Sequence, residues 1–131
     1  MFIPCSDGKN HTHQEIIDLV KDLKNTKFTY KDIDYYINFY NTHLNGYVKI
    51  PEDKIKYDSS GITGSYRDST GFVCPGFDCA HYNDIMLLSP QLMVLYKNKN
   101  MNNLVDPVCT FKLPEYVHKE CRLIIDSYLS W

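Results

Sequence analysis

Residues 29–46 read TYKDIDYYINFYNTHLNG, and the fold turns on this stretch. Its opening, Thr29-Tyr-Lys-Asp32, has the form of a helix-capping signal. Ile33, Tyr36, Ile37, Tyr40 and Leu44 then recur at the helical period. Asn45-Gly46 follows, a pair well suited to a left-handed C-cap. The spacing predicts a helix from Tyr30 to about Leu44.

Toward the N-terminus, Thr12-His-Gln-Glu15 has the pattern of a capping box, the Thr hydroxyl on one backbone N–H and the Glu carboxylate on another. Ile16, Ile17, Leu19, Val20 and Leu23 continue it at helical spacing, so a helix is expected to run to about Asn25. The linker to the next predicted helix is short, which predicts an antiparallel helical hairpin. Residues 1–11 are polar and aperiodic and read as a flexible arm. Toward the C-terminus, Tyr47 to Ile50 suggests a short strand stopped by Pro51. Residues 51–71 carry SSG, TGS and DSTG turn signals and read as an exposed loop. DIMLL (84–88) and QLMVLY (91–96) fit two short strands or one helix interrupted at Pro90, and periodicity does not choose between them. VCTFKL (108–113) alternates as a strand would. LPEYVHKECRLIIDSYLSW (113–131) predicts a closing helix, with Pro114 in its first turn and Val117, Cys121, Ile124 and Tyr128 as an apolar stripe. The expected fold is mainly α (α+β): one domain, 1–131, a small bundle of three or more helices with a short β/loop insertion.

A chain of 131 residues with a net charge of −2 offers no strong field for nucleic acid or an anionic membrane. No stretch is long and apolar enough to span a bilayer, so no membrane partner is expected. The first residues lack a basic flank and an apolar run, and no signal peptide is expected. Eleven tyrosines and a single alanine, Ala80, fit an AT-rich genome. Tyr also combines contact area with a polar tip and is favoured at interfaces.

Candidate chemistry rests on few residues. Cys74, Cys79 and His81, in C-P-G-F-D-C-A-H, are the leading metal-ligand candidates, with Cys5, His11 and His13 a looser cluster and Cys109, His118 and Cys121 remote ones. Zinc requires four tetrahedral N or S ligands. C-x4-C is wide for that purpose, and buried thiols with an exposed His account for the same residues. The five cysteines, an odd number, give no disulfide framework. His118 and Cys121 share one helical face, but Cys121 sits on the apolar stripe, which argues for an inert thiol. The acid pairs Asp32/Asp34 and Glu52/Asp53 read as solvated, and Lys49, Lys54 and Lys56 are offset by the neighbouring acids. No catalytic motif is present, so no enzyme and no cofactor is expected.

Leu113, Pro114, Glu115, Tyr116, Val117 and His118, continued by Cys121, Ile124 and Ile125, resemble the start of the last helix in the head-to-tail connector proteins of tailed bacteriophages, of podovirus or crAss-like type. His13 to Leu23, HQEIIDLVKDL, is similar to their first helix. Ile124, Ile125 and Ser127 depart from the alanines common there. The resemblance implies a structural virion protein of the neck or tail, assembled in the host cytoplasm. It would be one subunit of a homo-oligomeric ring, twelve-fold in that family, that meets the portal and other connector proteins and lets double-stranded DNA pass without sequence recognition. The alternative is a small intracellular interaction module, with or without a structural Cys/His zinc site.

Overall fold

A computed structural model describes residues 2–54, 62–80, 84–99 and 109–130. In chain order they form β1 (Phe2–Pro4), β2 (Asn10–Thr12), α1 (His13–Val20), β3 (Thr26–Tyr30), β4 (Ile33–Tyr40), β5 (His43–Val48), a 3-10 turn (Glu52–Lys54), β6 (Gly64–Arg67), β7 (Val73–Asp78), α2 (Pro90–Lys99) and α3 (Pro114–Ser130). Five strands make one antiparallel sheet in the order β3-β4-β5-β7-β6, and β1 and β2 make a separate pair.

The expected helical bundle is overturned. The predicted helix from Tyr30 to Leu44 instead falls in the meander β3-β4-β5, which runs from one edge of the sheet to its middle strand. Ile33, Tyr35, Ile37 and Phe39 recur with period two, and all four belong to the core or pack against it. Ile, Tyr, Phe and Thr dominate here, and these side chains fit a pleated surface better than a helix. The supposed cap, T-Y-K-D, is a hairpin turn. Lys31 and Asp32 take φ values of 51° and 64°, and two consecutive positive φ values define the type I′ turn that matches strand twist. The Thr29 hydroxyl donates across the hairpin to Asp34 Oδ1 at 2.8 Å instead of capping a helix.

The core lies between one sheet face and α3. Tyr35, Ile37, Leu44, Val48 and Phe77 meet Val117, Cys121, Ile124 and Ile125. Each aliphatic side chain fully buried there contributes roughly 1.5–3 kcal/mol relative to exposure. Gly46, paired with Ile37, is what lets the helix approach. A Cβ built on Gly46 would lie 2.8 Å from Cys121 Sγ, 2.8 Å from Phe77 Cζ and 2.9 Å from Val117 Cγ1.

The sequence placed an arm at 1–11, and the structure folds this segment against the core. Ile3 and Cys5 are buried, Phe111 N–H donates to Pro4 O at 2.9 Å, and Ser6 N–H donates to Phe111 O at 3.0 Å. The Thr12 box forms as expected, with both reciprocal bonds present. α1 stops at Val20, short of Asn25, because the chain turns to enter β3; Phe39 N–H takes Leu23 O at 2.8 Å, and Asn25 adopts φ 47°. Neither reading of the Pro90 segment holds whole: a helix starts at Pro90, and residues 84–88 before it are neither helix nor full strand, with Asp84 in an isolated bridge to Thr110. Of VCTFKL, the described residues 109–113 contribute isolated bridges to Cys5 and Asp84 and no full strand. Within the expected 51–71 loop lie the 3-10 turn and β6, while 55–61 fall outside the described residues.

Candidate functional site: the tyrosine face of the sheet

Strand alternation that sends Tyr35 and Ile37 into the core sends Tyr36, Asn38 and Tyr40 to the opposite face. Register places Asn45, Tyr47, Cys74, Gly76, Asp78 and Tyr66 on that same face. β7 carries only small residues, Cys74 and Gly76, between β5 and β6, which leaves a trough over that strand. The Tyr47 ring fills it, since a Cβ on Gly76 would collide with that ring and with the Gly46 carbonyl. Tyr66 comes in from β6. Its ring centroid is 5.4 Å from Tyr47 and 5.6 Å from Tyr36, both within the range of favourable aromatic pairs.

Tyr36 is 9% exposed, while Tyr47 and Tyr66 are half-buried. Burial raises the pKa of Tyr36 and Tyr47, so their hydroxyls stay protonated. On one side of the trio runs a polar row of Asn38, Asn45 and Asp78. Asn45 Nδ2 donates to the Tyr47 hydroxyl at 3.1 Å, and its Oδ1 is buried without a hydrogen-bond partner. On the other side, Lys49 Nζ sits 3.0 Å from Asp68 Oδ2 and 5.5 Å from the Phe72 ring centroid. Asp68 Oδ1 accepts from the Thr70 N–H, the Thr70 hydroxyl and the Phe72 N–H. Led by the Thr70 hydroxyl, these bonds hold its carboxyl well below the usual carboxylate range. Lys49 is therefore tied to a fixed anion. The face offers aromatic area, two asparagines and one aspartate, and no ready nucleophile, because burial pushes the Cys74 thiol up to about 11.

The metal candidates do not converge. Cys74 lies within β7 and Cys79 one residue past its end, five positions on, and this odd separation puts them on opposite faces. Cys74 lies on the tyrosine face, and Cys79 joins the core beside Cys121. His81 lies outside the described residues. Cys5 donates to Ile3 O, His11 meets Asp7, and His13 bonds Leu88 O at 2.7 Å, so the second cluster is committed elsewhere. Among the described residues no group of three or more His, Cys, Asp or Glu is placed to hold a metal ion. None of the five cysteines is disulfide-bonded.

His118 and Cys121 are engaged separately. Cys121 packs on Gly46, and burial raises its pKa. His118 Nδ1 is 2.6 Å from the Tyr35 hydroxyl, and its ring meets Phe28 edge-on at 4.5 Å. It lines a cavity of about 520 Å³ with Ser6, Asp7, Leu19, Glu115 and Lys119. Burial lowers its pKa below 6.5. The unfolded chain then binds more protons than the folded one in mildly acidic solution, so this group costs stability as pH falls below its unfolded value. A proton NMR titration is expected to place His118 below 6.5, with His118→Gln removing that part of the acid sensitivity.

The Asp32/Asp34 pair serves the β3–β4 hairpin, with Asp32 in the turn and Asp34 bonded to Thr29, while Glu52 and the exposed Asp53 lie in the 3-10 turn. Of the three lysines, Lys49 is ion-paired, Lys54 is exposed and Lys56 lies outside the described residues. The helical reading missed the tyrosine face because it set Tyr36 and Tyr40 beside Ile33 and Ile37. The signal that could have found it is the alternation Tyr36-x-Asn38-x-Tyr40, followed by Asn45-x-Tyr47-x-Lys49.

Compared with known proteins, the chain matches no protein-family model, no curated protein and no solved structure.

Proposed function

We propose that this chain is a non-catalytic assembly subunit that binds further copies of itself through the tyrosine face of its sheet. The observation that carries the reading is the trio Tyr36, Tyr47 and Tyr66. Three strands deliver three rings within 5.6 Å of a neighbour, on the face turned away from α3. Tyrosine brings large contact area at low side-chain entropy, and such residues dominate binding where they cluster. The asparagines beside them supply hydrogen bonds without the desolvation cost of a charge.

A narrower reading makes the chain a ring subunit of a tailed-phage head-to-tail connector, in contact with a portal and located in the virion neck. Its support is the resemblance at two segments, which coincide largely with α1 and α3. The helical bundle once expected with it is no longer part of the case. The zinc-bearing interaction module loses its leading ligand pair to the opposed placement of Cys74 and Cys79.

Sedimentation velocity across a wide concentration range tests the proposal. The full chain is expected to sediment as an oligomer. Tyr66→Ser, on an edge strand, is expected to weaken association roughly tenfold or more, the effect of truncating a central aromatic contact. A chain that stays monomeric at the highest concentrations would remove the self-assembly reading. Negative-stain images then separate closed rings, as the connector reading requires, from open dimers.

A further inference from the structure

We propose that Asp7, His11 and Glu15 form a proton-operated latch: an imidazolium at His11 ties the turn between β1 and β2 to the first turn of α1, and loss of its proton frees that turn. Both ring nitrogens of His11 face carboxylates. Nε2 lies 2.7 Å from Asp7 Oδ2, and Nδ1 lies 3.6 Å from Glu15 Oε2. A neutral imidazole carries one N–H and can present it to only one of them; the imidazolium hydrogen-bonds Asp7 and turns a second, positively charged N–H toward Glu15 at ion-pair range. Once the proton leaves to water, a bare nitrogen lone pair confronts a carboxylate.

The two carboxylates are already engaged in local structure. Asp7 Oδ1 accepts from the Lys9 N–H at 2.9 Å, which shapes the turn. Glu15 Oε1 accepts from the Thr12 N–H at 3.0 Å, which closes the capping box. The latch therefore joins two elements through side chains fixed at both ends. The remaining charged and titratable groups around it are few. The Lys9 ammonium acts on Asp7. The Cys5 thiol ends β1, with Asp7 and Glu15 adding to the burial that raises its pKa to about 11. Glu115, His118 and Lys119 of α3 share the neighbouring cavity with Asp7. The balance raises the His11 pKa above its ordinary 6.5, first through the Asp7 hydrogen bond. The latch is thus fully closed below the open-state pKa and is lost as pH rises through the closed-state one.

Thermodynamic linkage gives a quantitative test on the full chain. NMR titration yields the His11 pKa, and hydrogen exchange, corrected for intrinsic rates, yields the opening constants of the Cys5, Gly8 and Lys9 amides. All three amides are bonded within this turn. The opening constant should rise across the His11 titration, by about tenfold for each unit of pKa elevation. His11→Gln should give a pH-independent value at the wild-type high-pH level. The double variant Asp7→Asn, Glu15→Gln should return His11 to its ordinary titration and abolish the step. A His11 that titrates at or below 6.5, protection unchanged across its titration, or a step that survives in His11→Gln would each overturn the latch.

Discussion

Replacing Gly46 with alanine is expected to pry α3 from the sheet and to destabilise the protein by about 3 kcal/mol, the upper part of the range for overpacked cores. The new methyl would enter space already held by Cys121, Phe77 and Val117, each within 3.0 Å. Those neighbours are fully or nearly fully buried, and two of them lie on adjacent turns of one helix, so a single rotamer change cannot relieve the collision. The gain in strand propensity over glycine is roughly 0.5–1 kcal/mol and does not offset this. Urea unfolding measures the loss. Cys121→Ala provides the internal control, because it removes the sulfur that the methyl strikes. Alone it should destabilise; on the Gly46→Ala background it should restore part of the loss. Two effects that simply add would mean that the helix does not sit on Gly46.

Phe111→Ala is expected to have an effect of similar or greater size, about 3–5 kcal/mol, as for other buried phenylalanines. Phe111 is 1% exposed, and its backbone bonds both Pro4 and Ser6. Losing the ring leaves a cavity beside the end of β1, on the approach to α3. Thermal denaturation should show a drop of roughly 10–20 °C for a domain of this size. Phe111→Leu, which fills most of the volume, should recover more than half of it. A drop of only a few degrees would mean that residues 2–12 are not part of the core.

Both helices with strong end signals were legible in the sequence. Thr12 with Glu15, and Pro114 in the first helical turn, mark helix starts through local chemistry that tertiary structure did not override. The sheet was hidden by its tyrosines. From Ile33 to Leu44, apolar residues satisfy the helical template at 33, 36, 37, 40 and 44 and the strand template at 33, 35, 37 and 39. Tyrosine counts as apolar in both, so the pattern alone decided nothing. The turn Lys31-Asp32 lacks the glycine that advertises a type I′ hairpin. Asn45-Gly46 has the chemistry of a helix end, yet it sits mid-strand, where the missing Cβ makes room for Val117 and Cys121. Pro75 and Gly76 similarly disguised β7, because both residues are normally depleted in strands. The tyrosine face followed from the sheet and was lost with it. The same parity that separates Cys74 from Cys79 could be applied only once β7 was known to be extended.

Tyrosine footprinting of the full chain at low and high concentration tests the assembly face most directly. If subunits associate through it, modification of Tyr47 and Tyr66 should slow several-fold as larger species form. Tyr30, on the opposite face and bonded to Asp126, should keep its rate. Growth of an oligomer with unchanged Tyr47 and Tyr66 reactivity would contradict the account and move the contact elsewhere on the molecule.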